Sequence, residues 1–200
     1  MNEGILEFIQ PILDGGWVMF PLFLLGLMIY GLGFRMILML LPIRAHKVTD
    51  EECRQWVQNP GSAKEQIAEI VRYSQNDVKS LDEIQSRFEE IRLNEIPRIN
   101  INVTVLNILV NAAPLLGLLG TVLGMLTTFQ GLAAGGSDKT TALVADGIRV
   151  ALITTEMGLF LAIPGTFLVY VVKQMRNSYL RLIVRLENVT LQHFKGRFNG

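Results

Sequence analysis

The chain has 200 residues, of which 50% are hydrophobic and 18% are charged, and its mean hydropathy is positive at +0.36. Soluble domains are nearer a quarter charged, so this composition argues against an ordinary soluble domain. Its 18 basic and 18 acidic residues balance to a net charge of zero. The sequence has no basic patch interleaved with aromatic residues, so it does not indicate nucleic-acid binding.

Three apolar stretches, at about 17–43, 103–132 and 142–172, are long enough to cross a bilayer, because a membrane-spanning helix needs ~20 residues. We therefore expect an all-α membrane protein with three transmembrane helices. The segments around these spans are residues 1–16, 44–102, 133–141 and 173–200.

The distribution of Lys and Arg predicts how the chain is oriented. Residues 1–16 contain none, and the loop between the second and third spans contains only Lys139. In contrast, nine lie from Arg44 to Arg98, and six lie from Lys173 onward. The positive-inside rule therefore places the N-terminus outside and both the middle segment and the C-terminal tail in the cytoplasm. The apolar spacing within residues 1–16 indicates a short interfacial helix on the outer face.

The first span opens at Trp17, a candidate interface anchor, and carries Arg35 in its later part, where we expect the side chain to snorkel to the cytoplasmic headgroups. The middle segment reads as helical, with a free thiol, Cys53, expected to be reduced and inert. A helix starting near Leu81 is expected to continue into the second span, with a bend at Pro97. Three pairs fit the capping-box pattern: Thr49 with Glu52, Ser62 with Glu65, and Ser80 with Glu83.

The second span is rich in glycine and carries polar residues along one face. Its glycines allow close backbone approach between helices, which we assign to helix packing. These glycines include Gly117, Gly120 and Gly124. Steps of three and four place several polar residues on one face, in the series Asn107, Asn111, Pro114, Leu118, Thr121, Met125 and Thr128. For Thr121 a purely structural alternative stays open, in which its hydroxyl donates a hydrogen bond to the Gly117 carbonyl and has no further role.

The third span has a stripe of small residues with a single hydroxyl on it. The stripe consists of Ala151, Thr155, Gly158, Ala162 and Gly165. Arg149 and Glu156 share a second face about 100° away. A charge near mid-membrane costs ~2.5–3.5 kcal/mol, so both side chains should face protein or water. Two interpretations stay open: an ion pair between neighbouring subunits, or a Glu156 that exchanges protons or binds a cation.

Two long motifs resemble those of the MotA/TolQ/ExbB proton channel family, closest to its ExbB and TolQ branch. They are A-P-x-L-G-L-L-G-T-V-x-G-M from Ala113 and A-L-x-T-T-x-x-G-L-x-x-A-I-P from Ala151, and Trp17-Val18-Met19 and Arg35 fit the same resemblance. The resemblance covers nearly the whole chain. It implies a homopentamer with long helices extending into the cytoplasm, in the bacterial inner membrane, with residues 1–16 and 133–141 periplasmic.

The resemblance also implies a role for individual residues. The second and third spans would line a central channel enclosing the single spans of an ExbD- or TolR-like dimer, whose aspartate carries the proton. Proton flow would then drive a TonB- or TolA-like protein. Thr121 and Thr155 match the family's pore-facing threonines. Further candidates for the pore or the subunit interface are Asn111, Thr128, Arg149, Thr154 and Glu156, and the helix-packing glycines are Gly117, Gly120, Gly124 and Gly158.

One departure from the family pattern concerns the ion path. Many ExbB-like proteins have a glutamate five residues before the Thr155 equivalent, where this chain has Val150, and Glu156 follows the threonine instead. Proton or sodium as the ion, and ExbB or TolQ as the branch, stay open. The alternatives are a MotA-like motility stator and a non-conducting scaffold of the same fold. No Ser/His pair, HExxH motif or metal-ligand cluster lies within the spans, so we expect no enzyme, cofactor or metal.

Overall fold

The computed structural model describes residues 15–44, 48–133 and 137–198, and in these ranges the regular structure is entirely helical. The helices are α1 (Met19–Arg44), α2 (Asp50–Gln58), α3 (Glu65–Gln75), α4 (Leu81–Ala133) and α5 (Ser137–Phe198), with a 3-10 turn, Pro60–Ser62, between α2 and α3. Three of them, α1, α4 and α5, contain a stretch long and apolar enough to cross a membrane. The expectation of an all-helical protein with three long apolar helices is therefore confirmed.

The long helices extend beyond the predicted spans. The 53 residues of α4 join the end of the middle segment to the second apolar stretch and continue through Pro97 as one helix. The 62 residues of α5 contain Pro164 and continue into the C-terminal tail. Because α5 begins at Ser137, part of the predicted loop 133–141 is helical. The predicted interfacial helix lies outside the described residues, apart from positions 15 and 16.

The chain divides into two compact units, and each long helix contributes to both. The apolar unit comprises the chain up to Phe34 together with Thr104–Tyr170, and the charged unit comprises Arg35–Val103 together with Val171–Gly200. Among the side chains that the structure describes in the apolar unit, only Asp146, Arg149 and Glu156 carry charge. Its surface exposes large apolar side chains, among them Phe20, Phe167 and Leu152, which suits contact with lipid or with other membrane helices.

In the apolar unit, α4 and α5 run antiparallel with their backbones in contact. A Cβ atom added to Gly117 would lie 2.9 Å from the Thr154 carbonyl oxygen, and one added to Gly124 would lie 2.5 Å from that of Gly147. Further along, Gly158 meets the carbonyl of Ala113 in the same way, at 2.8 Å. Small residues thus let the two helices approach more closely than larger side chains would allow.

The first helix packs on α5 in the same unit. Gly26 and Gly33 face the side chains of Leu161 and Leu168. The Tyr30 hydroxyl donates a hydrogen bond to the Leu161 carbonyl oxygen at 3.2 Å. In hydrocarbon such a hydroxyl has no water to bond to, so this bond satisfies the Tyr30 hydroxyl within the protein.

The charged unit has a conventional hydrophobic core between α3, α4 and α5. Its wholly buried side chains include Val71, Ile84, Phe88, Ile183 and Leu186. Polar links cross the same helices: Arg92 pairs with Glu187, and the Arg176 guanidinium donates to Asn100 Oδ1 at 3.0 Å. These cross-links show that α4 and α5 are antiparallel here too, with a defined register.

Two of the three predicted helix caps are present. The Thr49 backbone N–H donates to the Glu52 carboxylate at 2.9 Å and completes a capping box. The Glu83 N–H donates to Ser80 Oγ at 3.2 Å.

The prediction for Ser62 was wrong, because this residue lies in the 3-10 turn and its hydroxyl donates to the Asn59 carbonyl at 2.7 Å. Helix α3 instead has Lys64 at its N-cap, without a side-chain cap.

The contact between α4 and α5 makes a specific prediction for Gly124. Gly124→Ala places a methyl group against the backbone of α5, which cannot move as a flexible side chain can, so we expect it to cost about 1–3 kcal/mol of folding free energy. The matched control is Gly31→Ala, since a Cβ at Gly31 meets nothing within 4 Å. Thermal unfolding in detergent, followed by circular dichroism at 222 nm, should show a lower midpoint for Gly124→Ala alone. Equal midpoints for the two variants would contradict the close backbone contact.

The environment of Cys53 predicts an unreactive thiol. Its side chain is 0% exposed, and burial raises the pKa of the thiol from 9.0 to about 11. Because the thiolate is the reactive form, its fraction at pH 8 falls roughly 100-fold. We expect iodoacetamide to leave the folded protein unmodified at pH 8 and to alkylate Cys53 after denaturation, as measured by intact-protein mass spectrometry. Rapid labelling of the folded chain would show that this core is open.

Candidate functional site

Thr155 lies where α4 and α5 meet in the apolar unit. Its side chain is half-buried, and its hydroxyl lies 3.3 Å from the Gly117 carbonyl oxygen on α4 and 3.2 Å from that of Ala151 on α5. A hydroxyl has one proton to donate, so it can serve only one of these acceptors fully at a time. Its lone pairs remain available to accept a bond from water or from another chain.

The adjacent hydroxyl, Thr154, is in a different situation. Thr154 is 0% exposed and its Oγ1 is engaged with the carbonyls of Val150, at 2.9 Å, and Ala151, at 3.1 Å. Its side chain fills the space above Gly120, where a Cβ would collide with it. Thr154 is therefore an internal residue of the α4–α5 contact within one chain.

Thr128 is internal in the same way. It is buried, its hydroxyl donates to the Gly124 carbonyl at 3.1 Å, and it packs directly against Gly147 on α5. The structure thus places Thr128 and Thr154 inside the contact, together with Gly117, Gly120, Gly124 and Gly158.

Thr121 is half-buried on α4, and its hydroxyl donates to the Leu118 carbonyl at 2.6 Å. The hydroxyl was expected to bond to the Gly117 carbonyl if it had only a structural role. It bonds instead to the carbonyl of Leu118, which is three rather than four residues before Thr121. This local bond uses the hydroxyl proton and leaves the lone pairs as acceptors.

Thr121 and Thr155 do not lie at the same depth. Because Gly117 is opposite Thr155 and the helices are antiparallel, Thr121 lies about one helical turn away along the axis, or ~6 Å for four residues. The two threonines are therefore successive acceptor positions along the helix pair.

The charged candidates lie on the surface of the apolar unit. Glu156 and Arg149 are exposed, as is Asn111. Among the described residues Glu156 has no hydrogen bond or ion pair, so within one chain it does not reach Arg149. An exposed carboxylate on a membrane-spanning helix requires water or another chain as its neighbour.

The chemistry available in this unit is limited. Threonine hydroxyls do not titrate near neutral pH, so they can only orient water and exchange hydrogen bonds. Across the described residues, no group of three His, Cys, Asp or Glu side chains could hold a metal ion. The helix pair can line an ion path, but its threonines cannot carry the proton, so a titrating group has to come from a carboxylate of this unit, such as Glu156, or from another chain.

Gly147 is not among the residues predicted from the sequence, yet it lies against both Gly124 and Thr128 at the closest part of the contact. Its signal was present in the spacing, since residues 147, 151, 154 and 158 recur at four, three and four. The stripe chosen instead contained Thr155, because steps of three and four both keep residues on one helix face.

Comparison with known proteins agrees with this architecture. Residues 58–185 match the model of the MotA/TolQ/ExbB proton channel family. This match covers more than half of the chain and includes all of α4 and most of α5.

Three curated relatives illustrate the similarity. The chain is 36% identical over 116 residues to the biopolymer transport protein ExbB of Helicobacter pylori, covering 58% of this chain and 68% of that protein. It is 51% identical over 53 residues to the biopolymer transport protein exbB1 of Vibrio cholerae, covering 26% and 23%. It is 49% identical over 55 residues to the Tol-Pal system protein TolQ of Pseudomonas aeruginosa, covering 28% and 23%.

The matched segments thus span about a quarter of two of these relatives and about two thirds of the third. Three apolar helices and relatives of the ExbB and TolQ types support a multi-pass inner-membrane protein. On the extent of the family match and the identity to the Helicobacter pylori relative, this chain belongs to the MotA/TolQ/ExbB proton channel family.

Proposed function

We propose that this protein is the channel-forming subunit of a proton-driven machine of the ExbB/TolQ type. Five copies form a ring in the inner membrane, with the N-terminus periplasmic and the C-terminus cytoplasmic. The ring encloses the spans of an ExbD- or TolR-like dimer, and proton flow through it energises a TonB- or TolA-like protein. Family membership and the names of its relatives support this assignment.

The observation that carries the proposal is the different placement of two adjacent hydroxyls. Thr154 is fully buried within the chain, whereas Thr155 is half-buried and at the edge of the α4–α5 contact. Thr121 is half-buried one turn away on α4. A ring that brings α4 and α5 to a central channel gives Thr155 and Thr121 access to water, while Thr154 stays inside its own subunit.

In this mechanism the subunit supplies the path and the partner supplies the titrating group. Thr155 and Thr121 accept hydrogen bonds from water or from a protonated carboxyl, and their short spacing along the axis suits a relay of such bonds. An aspartate on the partner's span binds and releases the proton. The apolar walls around it favour the neutral acid, so that the charge is exposed only at the points where water enters.

Glu156 and Arg149 belong to the outer part of this arrangement in our proposal. Glu156 is exposed and has no hydrogen bond or ion pair among the described residues, which directs its carboxylate towards a neighbouring subunit or the channel water. Proton transport is the proposed function. A non-conducting scaffold of the same fold is the alternative that the following flux measurements distinguish from it. A motility stator would also conduct, and it differs in the protein that it drives.

Thr155→Val tests the proposed path directly. Valine keeps the shape and removes the hydroxyl, so we expect the ring to assemble and proton flux to fall about tenfold, the worth of one hydrogen bond of ~1.4 kcal/mol. The control is Thr154→Val, whose hydroxyl is used inside α5. Flux is measured with a pH-sensitive dye in liposomes containing the complex with its co-purifying single-span partner. Full flux in Thr155→Val would overturn the proposed role, and an absence of flux in the unsubstituted complex would favour the scaffold.

Thr121→Val is the matching test on α4. We expect reduced flux with unchanged assembly, since its backbone bond to Leu118 is local and dispensable. Thr127→Val is the matched control, because Thr127 is also half-buried and also donates to a local carbonyl, that of Leu123 at 3.1 Å. Six residues place it about 240° around the helix from Thr121. Equal loss of flux in both variants would mean that Thr121 acts through helix stability.

A further inference from the structure

The charged unit contains a cleft that none of the proposed channel functions uses. It has a volume of about 460 Å³ and is lined by α1, α3, α4 and α5. Its polar lining includes Glu69, Glu90, Glu95, Tyr73 and Tyr179. No Lys, Arg or His occurs among the described residues that line it. Clefts of ~300–1,000 Å³ hold small ligands, so a long side chain fits within this volume.

The polar groups of the cleft are incompletely satisfied. The Tyr73 hydroxyl donates to Glu90 at 2.5 Å, and the Arg87 guanidinium stacks on the Tyr73 ring at 4.9 Å. In the described part of the chain, neither Glu69 nor Glu95 has a hydrogen bond or an ion pair. These carboxylates leave the cleft with a negative charge.

Tyr179 adds a hydroxyl to the polar lining of the cleft. It is only 7% exposed and lines the cleft, yet its hydroxyl makes no hydrogen bond to any described residue. Within the described residues Arg92 Nε, and not this hydroxyl, is the side-chain polar atom that is both buried and unbonded, so the Tyr179 oxygen is open to the cleft. A donor that enters the cleft would satisfy this oxygen and one or more of the carboxylates together.

The geometry favours a guanidinium over a metal ion. No three acidic side chains among residues 15–44, 48–133 and 137–198 come close enough to hold a metal. A guanidinium is planar and has five N–H donors, so it can bridge a carboxylate and a hydroxyl that are too far apart to coordinate one ion.

The same unit carries an unpaired arginine on the opposite side of α5. Arg181 follows Tyr179 by two residues, which places it about 200° around the helix. It lines a separate groove and is exposed. Its guanidinium donates to Ser178 Oγ at 3.0 Å and has no carboxylate within ion-pair distance among the described residues. The neighbouring Arg185, in contrast, is already paired with Asp50 at 3.2 Å.

Arg181 and the cleft also lie at the same level along the helices. The bond between Arg176 and Asn100 fixes the antiparallel register of α5 and α4 in this unit. Five residues further along α5 is Arg181, and five residues back along α4 is Glu95. In a cyclic ring each copy is related to the next by rotation alone, so helices along the axis bring residues of equal level together.

We propose that Arg181 of one copy enters the acidic cleft of the next copy, where it pairs with Glu95 and donates a hydrogen bond to the Tyr179 hydroxyl. This inference rests on the ring of identical copies proposed above. It makes the contact heterologous, with the arginine face of each subunit against the acidic face of its neighbour. The adjacent copy then completes each cleft, and the opposite charges of the two faces pair neighbouring copies.

Cross-linking between differently tagged copies tests the contact. In a Cys53→Ala background, one copy carries Glu95→Cys and the other Arg181→Cys, and both are co-expressed at full length. A short bifunctional thiol cross-linker is added to membranes, and the two tags are purified in sequence. We expect a linked dimer containing one copy of each. The matched control replaces Glu95→Cys by Leu93→Cys, since Leu93 is exposed about 200° around α4 and lies outside the cleft.

Each outcome has a defined meaning. A dimer with Glu95→Cys and none with Leu93→Cys supports the inference. Copies that co-purify without a Glu95–Arg181 cross-link, or that link equally through Leu93, overturn it and leave the proposed channel function intact, with a lipid amine or another protein as the occupant. Copies that do not co-purify at all overturn the proposed ring itself.

Charge reversal supplies a second measurement that does not depend on a cross-linker. Arg181→Glu and Glu95→Arg should each remove the ring from the native mass spectrum of the detergent-solubilised protein. The double variant should restore it, because it pairs the same two positions with exchanged charges. Failure of the double variant to restore the ring, with both single variants folded by circular dichroism, would overturn the pairing.

Discussion

The structure depends on one contact, in which the backbones of α4 and α5 touch inside the apolar unit. Gly117, Gly124 and Gly147 make this approach possible, since a Cβ at any of them would meet a carbonyl oxygen of the other helix within 2.9 Å. In a bilayer no hydrophobic force drives apolar helices together, so close packing has to supply the association. The contact sets the register of α4 against α5, and that register decides which hydroxyls are internal and which stay at its edge.

Because of this register, two adjacent threonines have different environments. Thr154 fills the space above Gly120, while Thr155 lies at the edge of the contact and keeps free lone pairs. The apolar unit offers acceptors in successive turns but few groups that titrate, which accords with a machine whose proton carrier belongs to a partner. The constraint is chemical as well as geometric: hydroxyls at the edge of an apolar contact can guide a proton but cannot store one.

The charged unit is held together differently, because its polar groups can bind water and form salt bridges. Its core of Phe88, Ile183 and Leu186 fixes the helices, and the hydrogen bond between Arg176 and Asn100 sets the register that brings Arg181 level with Glu95. Acidic and basic groups left without partners lie on opposite sides of α5. In a ring, such a distribution gives each subunit complementary faces and thereby selects one arrangement of neighbours, as charge complementarity does at other interfaces.

Composition and the length of the apolar stretches were enough to predict an all-helical protein with three spans, and two motifs were enough to indicate its family. The caps at Thr49 and Ser80 were also predictable, because capping is local chemistry. Ser62 was not, since a 3-10 turn competed for its hydroxyl. The choice between Thr154 and Thr155, and the role of Gly147, lay beyond the sequence, because steps of three and four both follow one helix face. Only the tertiary structure decides which hydroxyl is enclosed in the contact and which lies at its edge, because that depends on the separation and the register of the two helices.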